Sequence, residues 1–593
     1  MVSRGGAGAA LVAVLAFVWA GPAYSETFEQ VTPDIPAANT TAPPIGLPAL
    51  EEGRRSDEVL LPALTGLVFV ATPDAIISEG MQYAGLETAG FDLLSEEDTN
   101  AQLQHYIGQP LSLKVLDQMV ATVITKYRAA DRPFVDVIVP PQDITSGTVQ
   151  VLILEFVAGD VRTEGDFQTP SELLTAEIRT KQGMPLDAAQ LSEDLDWLNR
   201  SMFRRVELVL ERGERFGETD LILQVDETAP WRVYAGMDNT GSRATGRERY
   251  MLGGNFGGIV LDDALLSYQY ISSRELLSGG RLPFGLTGKR PAYAAHSFGY
   301  SFPLTGRGEV SVFGFYAESR PNLGQIVSSV GKSWQLSARY RAPVLRYGYL
   351  QHRLSAGVDF KRTNNNLGFG GTIVSNSNTD IAQAVLAWRG NGTDRWGATS
   401  AGLSLALSPG GLTAFNNDSD YQPSATAVGR TGANARYAVL RADVERSLSL
   451  PGDLTLTARA HGQLASTNLL SNEQIYAGGV RSVRGFEENE AAGDHGVYTN
   501  LELASPAWSP LEQAISAQDA GRAYLFLDRG DVWLDSALPG EIRQKSLMSA
   551  GAGVLYQLGP YLSFDVSHGW QLIGKGNSRV KGERTHFRAI VSF

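Results

Sequence analysis

From about Pro230 to Phe593, apolar and polar side chains alternate along short segments of the sequence, and no long helical period occurs. One segment sets the apolar series Leu454, Leu456, Ala458, Ala460 and Leu464 against the polar series Thr455, Thr457, Arg459, His461 and Gln463. Because successive side chains of a strand point to opposite faces, one face of each strand is apolar and the other is polar. This alternation is typical of a transmembrane β-barrel with a polar lumen, and a soluble β-sandwich shows it as well.

The lengths of the connections favour the barrel. The alternating region contains about sixteen predicted strands, which begin near residues 231, 247, 263, 294, 308, 332, 349, 381, 396, 434, 453, 495, 521, 546, 560 and 583. Long connections at 274–293, 362–380, 408–433 and 466–494 alternate with tight turns such as 305–308, 391–394 and 451–453. Outer-membrane barrels have short turns at one end and long loops at the other. We therefore predict a transmembrane β-barrel of about 16 antiparallel strands over residues 230–593.

The N-terminus resembles a secretory signal. Arg4 precedes an apolar stretch at 9–20, and Ala23 and Ser25 are the small residues that a signal peptidase accepts at −3 and −1, so we predict a signal peptide over 1–25. Beyond it, no apolar run approaches the ~18 residues that a membrane-spanning helix requires. The next stretch, 26–60, is rich in proline and has no helical or strand period, which predicts a linker or a weak plug segment.

Two smaller α+β modules are predicted before the barrel, over 61–156 and 157–229. In the first, Leu113, Leu116, Val120, Val123 and Tyr127 have the spacing of one helix face. The segments 134–139 and 148–154 read as a hairpin joined by Pro140, Pro141, Gln142 and Asp143. The second module repeats the order with a helix through Leu191, Leu195, Leu198 and Met202, and with a hairpin of 206–210 and 221–225. Two successive β-α-α-β-β units explain this order.

Composition excludes several function classes. The net charge of −14, with no basic block, argues against a nucleic-acid surface. The chain contains no Cys, which excludes disulfides and thiolate zinc sites. There is no Gly-x-Ser-x-Gly motif, no phosphate loop and no shared His spacing, so we expect no catalytic residues, no metal and no cofactor.

Two short stretches stand out inside the barrel region. Val483, Arg484, Gly485 and Phe486 lie in the long connection 466–494, and Phe526, Asp528 and Gly530 alternate along a predicted strand. Strand parity places Asp528 on the face opposite the apolar Leu525 and Leu527, which is the lumen face. A carboxylate in a partly dry lumen needs a partner, and the planar fork of Arg binds it through two hydrogen bonds. We therefore predict that Arg484 and Asp528 meet inside the barrel.

These stretches resemble the motifs of a known superfamily. Val483-Arg484-Gly485-Phe486 is similar to the VRGF/VRGY motif on the inward-folded sixth loop of the outer-membrane assembly and secretion superfamily, and Phe526-x-Asp528-x-Gly530 is similar to its F-x-D-x-G strand motif. The Pro140–Asp143 hairpin and the stretches 237–241 and 245–246 at the barrel entrance resemble the two-partner secretion branch, the haemolysin-type TpsB transporters. The resemblance covers nearly the whole mature chain.

The resemblance implies a function. Two periplasmic POTRA modules would recognise an unfolded partner exoprotein, an adhesin or a haemolysin-like β-helix protein with an N-terminal secretion domain, and the barrel would conduct it to the cell surface. The protein would be a monomer in the lipids of a Gram-negative outer membrane, with Phe593 as the signal read by the barrel-assembly machinery during biogenesis. Pro140, Pro141, Gln142 and Asp143 would contribute to partner docking.

Three further expectations accompany this resemblance. Members of the family often carry a plug helix near the N-terminus, and the proline-rich stretch from Thr32 to Pro48 disfavours one here. Glu487, Glu488 and Glu490 read as a solvated charge run rather than a functional acidic rim. One alternative function is an outer-membrane assembly and insertion factor. From another class, the alternatives are a passive porin, which has no need of two periplasmic modules, or an outer-membrane enzyme.

Overall fold

The computed structural model describes residues 31–35, 56–280, 287–320, 322, 327–347, 350–369, 372–423, 429–511, 519–574 and 581–593. The chain divides into two compact units, Ala38–Ala229 and a barrel unit that joins Met1–Ala37 to Pro230–Phe593. The predicted signal peptide and most of the predicted linker lie outside the described residues. Within the described part of the chain, no helix is both long enough and apolar enough to cross a membrane.

The first module places three helices against a mixed sheet. Its elements are β1 (Val59–Leu61), β2 (Gly66–Val70), β3 (Gly85–Glu87), α1 (Asp92–Ser95), α2 (Glu97–Gln104), β4 (Leu111–Ser112), α3 (Leu113–Ala129), β5 (Val135–Ile138) and β6 (Thr148–Glu155). The sheet order is β3-β2-β6-β5, and β5 and β6 pair antiparallel, as predicted. Met119, Val123 and Tyr127 of α3 are buried, while Leu116 and Val120 pack against the same core only partly buried. The buried stripe is therefore rotated from the predicted one.

The second module is smaller and has the same plan. It contains β7 (Val157–Asp166), α4 (Ser171–Ala176), α5 (Ala188–Leu198), β8 (Arg204–Arg212) and β9 (Glu218–Glu227), with sheet order β7-β9-β8. Asp187 caps α5 by accepting a hydrogen bond from the backbone nitrogen of Gln190 at 2.9 Å, which satisfies one of the free donors at the helix start. Leu191, Leu195 and Leu198 are buried as predicted, but Met202 lies beyond the end of the helix.

The barrel is closed by antiparallel strands. They are β10 (Trp231–Asp238), β11 (Arg249–Gly257), β12 (Leu265–Ser272), β13 (Tyr293–Pro303), β14 (Glu309–Ser319), β15 (Val327–Arg341), β16 (Leu345–Tyr347), β17 (Leu350–Phe369), β18 (Thr372–Asp394), β19 (Gly397–Pro409), β20 (Arg436–Leu450), β21 (Leu454–Ala465), β24 (His495–Ala504), β25 (Asp519–Trp533), β26 (Gln544–Leu558), β27 (Leu562–Ile573) and β28 (Glu583–Ser592). Between β21 and β24, β22 (Ile475–Ala477) and β23 (Ala491–Gly493) form a separate hairpin, and α6 (Asp418–Tyr421) lies between β19 and β20. Because β15 and β16 both pair with β17, the described wall has sixteen strand positions, and β28 closes onto β10.

The predicted long connection 362–380 is wrong. Strands β17 and β18 continue to Phe369 and from Thr372, and Arg362 pairs with Asp380 across this extension. The guanidinium of Arg362 donates two hydrogen bonds to the Asp380 carboxylate, at 2.6 and 2.8 Å. In the sequence of this extension, polar residues stand at consecutive positions, so the alternation that marks a membrane-facing strand is absent.

One predicted turn is also displaced. Residues 391–394 form the end of β18, and the turn itself is Arg395 and Trp396. The Asp394 carboxylate accepts hydrogen bonds from the backbone nitrogens of Trp396 and Gly397 at 2.8 and 3.1 Å. The bend therefore lies after the aspartate, which anchors it, rather than at the Asn-Gly pair.

The described N-terminal residues 31–35 enter the barrel lumen. Val31 is buried against Tyr234 and other inward-facing wall residues. Asp34 forms ion pairs with Arg232 at 3.0 Å and Arg588 at 3.2 Å, and its backbone nitrogen donates to the Tyr234 hydroxyl at 2.8 Å. This part of the predicted linker or weak plug is therefore held by the wall, whereas 26–30 and 36–55 lie outside the described residues.

Candidate functional site: the inward loop and the lumen wall

The connection 466–494, here called the inward loop, packs inside the barrel. Its β22–β23 hairpin leads to and from the tip that carries Val483 and Phe486. Apolar residues of the loop and of the wall form one buried cluster: Ile475, Ala477, Val483, Phe486, Ala491, Tyr498, Val532 and Leu547. Burial of apolar surface therefore stabilises the loop in the lumen.

Ion pairs hold both ends of the inward loop. At its start, the fully buried Glu473 pairs with Lys361 and, at 3.1 Å, with Arg441. At its end, the buried Asp494 pairs with Arg430 and accepts a hydrogen bond from the backbone nitrogen of Leu469 at 2.9 Å. Neither acid is predicted from the sequence, since both fall in a connection without a strand period.

At the loop tip, Arg484 contacts Asp528 on β25. The Asp528 side chain is 0% exposed and accepts from Arg484 three times: from Nε at 2.8 Å, from Nη2 at 2.9 Å and from the backbone nitrogen at 3.0 Å. Asn500 Nδ2 donates a fourth hydrogen bond at 2.8 Å. The carboxylate is thus compensated for the loss of water, as a buried charge requires. The structure therefore brings the two predicted partners together.

The rest of the Arg484 guanidinium is also satisfied. Nη1 donates to Glu502 at 2.9 Å, and the guanidinium carbon lies 3.7 Å from the centre of the Phe526 ring. Stacking on an aromatic face and a bidentate carboxylate contact are both properties of arginine that lysine lacks. Glu502 was not predicted. The alternation along β24 places it on the lumen face of that strand, so its position could have been predicted from the sequence.

Two glycines of the motifs are required by close packing. Gly485 has a φ of +88°, and a Cβ there would lie 2.8 Å from the backbone oxygen of Gly569 on β27. At Gly530, a Cβ would lie 2.9 Å from side-chain carbons of Ala477 and Val483. Any larger residue at either position would push the loop away from the wall.

Strands β27 and β28 hold the peptide of Gly485. Its backbone nitrogen donates to Nε2 of His586 at 3.1 Å, and its oxygen accepts from Nε2 of Gln571 at 2.6 Å. His586 is consequently a lumen-lining residue, with a specific acceptor role that the sequence did not reveal. The tip therefore contacts strands on both sides of Asp528.

The acidic run is only partly solvated. Glu487 forms ion pairs with Arg243, Arg247 and Arg584, and Glu488 accepts a hydrogen bond from the backbone nitrogen of Val480 at 2.9 Å. The expectation of a solvated charge run is therefore wrong for these two residues. Within the described ranges, no group of three or more acidic or histidine side chains could hold a metal ion.

The predicted docking hairpin lies at the surface of the first module. Pro141 and Asp143 are exposed, whereas the amide of Gln142 bonds to the backbone of Gln150, donating at 2.7 Å and accepting at 2.7 Å. Hydrogen bonds from Thr145 lower the pKa of the Asp143 carboxyl. Gln142 therefore serves the module's own fold, which leaves Pro141 and Asp143 accessible.

The predicted assembly signal, Phe593, ends the last barrel strand. Its side chain is 71% exposed, and its backbone exchanges hydrogen bonds with Val233 of β10 at 2.9 and 3.1 Å. The aromatic ring is consequently free to contact a partner or lipid while the backbone closes the barrel.

Comparisons with known proteins agree with this architecture. The profile of the family described as "Haemolysin secretion/activation protein ShlB/FhaC/HecB" matches residues 217–556, and that of the "POTRA domain, ShlB-type" matches 81–155. The heme/hemopexin transporter protein HuxB of Haemophilus influenzae is 23% identical over 515 residues, which are 80% of this chain and 81% of HuxB. The outer membrane transporter CdiB-2 of Burkholderia pseudomallei is 25% identical over 439 residues, which are 73% of this chain and 70% of CdiB-2.

Solved structures show the same fold. CdiB from Escherichia coli superposes with a TM-score of 0.69 at 17% identity, covering 92% of this chain and 94% of CdiB. CdiB from Acinetobacter baumannii gives 0.60 at 16% identity and covers 96% of both chains. The named relatives are transporters, which favours export over the assembly-factor and enzyme alternatives. Because the first profile matches more than half of its residues, the chain belongs to the ShlB/FhaC/HecB family of haemolysin secretion/activation proteins, outer-membrane transporters of two-partner secretion whose POTRA modules lie in the periplasm.

Proposed function

We propose that this transporter exports an unfolded exoprotein of the adhesin or haemolysin type, and that the inward loop is a latch that leaves its resting place during passage. The contact between Arg484 and Asp528 carries this proposal. A fully buried carboxylate bound by four hydrogen bonds is far more than a surface loop needs. It fixes one loop position strongly, yet it involves a single side chain of the loop tip.

Partner recognition is assigned to the POTRA modules. Strands β5 and β8 lie at the ends of their sheets, β3-β2-β6-β5 and β7-β9-β8, where an unfolded chain can add a strand through backbone hydrogen bonds. Pro141 and Asp143 are exposed in the connection that follows β5. An N-terminal secretion domain of the partner is therefore proposed to dock along β5 and to contact these two side chains.

Export by single variants tests the latch. Asp528→Ala and Arg484→Ala each leave a buried charge without its partner, which costs about 3–5 kcal/mol. We expect both variants to insert in the outer membrane but to secrete at least about tenfold less partner. A loss of about 1.4 kcal/mol from the resting position of the loop already lowers its population tenfold relative to the displaced loop. Secretion is measured as the ratio of partner in the medium to partner in the periplasm.

Asp531→Ala is the matched control. Asp531 lies on the same strand but faces outward, where it pairs with Arg529 at 2.8 Å. This variant is expected to secrete normally and to give quiet single-channel currents. Asp528→Ala and Arg484→Ala, here called the lock variants, are expected to give noisy currents. Unchanged secretion by both lock variants would contradict the proposal. The partner itself can be sought among the neighbouring genes, as one that encodes a large secreted protein with an N-terminal secretion domain.

A further inference from the structure

The barrel closes along a short seam between its first and last strands. Strands β10 and β28 pair over five positions, from Tyr234–Ser592 to Asp238–Arg588, whereas β10–β11 and β27–β28 pair over eight and nine. Backbone hydrogen bonds between Val233 and Phe593 add one further pair at one end. At the other end β10 stops, so the seam needs additional contacts there to stay closed.

Asn239 supplies part of this closure with its side chain. Its amide oxygen accepts from the backbone nitrogen of Phe587 at 3.1 Å, and its amide nitrogen donates to the backbone oxygen of Thr585 at 2.8 Å. Arg584 donates to the backbone oxygen of Asn239 at 3.0 Å. The amide thus continues the hydrogen bonding of β10 beyond its last residue.

Glu487 of the inward loop bridges the two sides of the seam. Its Oε1 atom lies 2.7 Å from Arg243 Nε and 2.8 Å from Arg247 Nη2, which belong to the β10–β11 connection, and 3.2 Å from Arg584 Nη1 on β28. Burial raises the pKa of Glu487, but the hydrogen bonds from Arg243 and Arg247 hold it below its usual value. The carboxylate therefore stays charged between three cations.

The β10–β11 connection is built to present these arginines. Arg249 is buried and donates to the backbone oxygen of Gly246 at 2.9 Å and to the Thr245 hydroxyl at 2.7 Å. A Cβ on Gly241 would lie 2.3 Å from the backbone oxygen of Gly246, so only glycine allows these two segments of the connection to approach each other. The stretches 237–241 and 245–246 thus form one rigid turn that carries Arg243.

We propose that Glu487 is a positioning residue that couples the inward loop to the barrel seam. While the loop occupies the lumen, one carboxylate neutralises cations on both sides of the seam. When the loop withdraws, Arg243 and Arg247 face Arg584 without a shared anion, and their mutual repulsion loosens the seam. Loop release and widening of the barrel are then a single event.

The test uses the purified full-length protein in detergent, without a partner. The temperature at which the compact barrel unfolds is read from its mobility on an SDS gel. Glu487→Gln keeps the shape but removes the charge, and we expect this temperature to fall by about 2–5 °C. Adding Arg247→Gln removes one repelling cation and is expected to restore part of the loss. A purely structural role of Glu487 would instead make the double variant worse than the single one.

A disulfide across the seam distinguishes an effect of Glu487 on the seam from an effect on the rest of the barrel. Ala235 and Val591 are paired on the outward face, and the chain has no other Cys. Paired strand residues lie about 4.5–5.5 Å apart at Cα, within the range that a disulfide spans. In the oxidised Ala235→Cys/Val591→Cys protein, Glu487→Gln is expected to cost nothing further, and reduction is expected to bring the loss back.

Two outcomes overturn the coupling: an unchanged temperature in Glu487→Gln, or a loss that persists with the seam cross-linked. Asp394→Asn is the control, since it breaks the ion pair with Arg446 at a turn away from the seam; its effect is expected to survive the cross-link. The coupling rests on the proposed latch. Because the assay contains no partner, its failure would leave the secretion result standing, and unchanged secretion by the lock variants would leave the seam measurement valid.

Discussion

At the scale of single residues, the inward loop is held by charges that are almost entirely removed from water. Asp528 and Glu473 are nearly or fully buried, and each is bound by arginine or lysine rather than left as an isolated carboxylate. Such ion pairs contribute little net stability compared with apolar packing, but removing one partner lowers the stability strongly because the other charge is left buried and unpaired. Their value lies in defining one loop position, which is what a latch requires.

Glu488 makes loop packing sensitive to pH. Burial raises the pKa of this loop carboxyl to about 7 from a usual value of 4.5. Between these values the folded protein holds a proton on Glu488 that the unfolded chain releases, so the contribution of Glu488 to stability rises as the pH falls from 8 towards 5. The groups facing Glu488 are Arg481, Arg584, Asp238 and His586.

We expect a change from pH 8 to pH 6 to raise the unfolding temperature of the purified wild-type protein relative to that of Glu488→Gln. Comparing the wild type with the variant at both pH values removes the contributions of other titrating groups. An equal pH difference in the two proteins would show that Glu488 does not titrate in this range.

At the scale of elements, strand parity and connection length predicted more than individual contacts. The alternation around Leu525 and Leu527 was sufficient to place Asp528 in the lumen, because a strand has only two faces. The extension of β17 and β18 was missed because polar residues stand at consecutive positions in its sequence and leave no alternation. The contacts of Gly485 with β27 and of Glu487 with the seam were also missed, since they join segments that no local period relates.

The hairpin of the first POTRA module offers a test at this scale. Gln142 links its connection to Gln150, which in turn accepts from the backbone nitrogen of Ile77 at 3.0 Å. Gln142→Ala removes a partly buried amide to which two backbone groups of Gln150 bond, and we expect the free energy of unfolding of the module to fall by about 1–3 kcal/mol. Limited proteolysis of the full chain measures this as faster cleavage within 56–229.

Asp143→Ala is the matched change in the same connection. Its side chain is exposed, so we expect unchanged proteolysis and, if the hairpin docks the partner, reduced secretion. Normal secretion by Asp143→Ala and by Pro141→Ala would exclude these side chains from docking.

At the scale of the whole molecule, the proposed latch requires the inward loop to move relative to the wall. Asn472 at the start of the loop donates a hydrogen bond from its side chain to the Thr363 hydroxyl of β17 at 2.6 Å. A cysteine at each of these two positions can be joined by a short, reducible thiol cross-linker that holds the start of the loop against the wall.

We expect the cross-linked Thr363→Cys/Asn472→Cys protein to insert normally and to secrete less partner than the uncross-linked protein, and a membrane-permeant reductant to restore secretion. Each single cysteine variant serves as the control for the changed side chain. Unchanged secretion by the cross-linked protein would mean that the loop is a permanent brace and that the partner passes beside it.

The meeting of the two chain ends has a consequence for how the barrel is made. Asp34 pairs with Arg588, 554 positions away in the sequence, and Phe593 completes the hydrogen bonds to Val233. Contacts between such distant residues form late and slowly, because the entropy of closing so long a loop must be met first. Until the last strand arrives, β10 presents an unpaired edge, and the loop and the N-terminal segment must already lie inside the curving sheet. We therefore expect closure of the seam to be the last step of folding, after the loop and the N-terminal segment have entered the curving sheet.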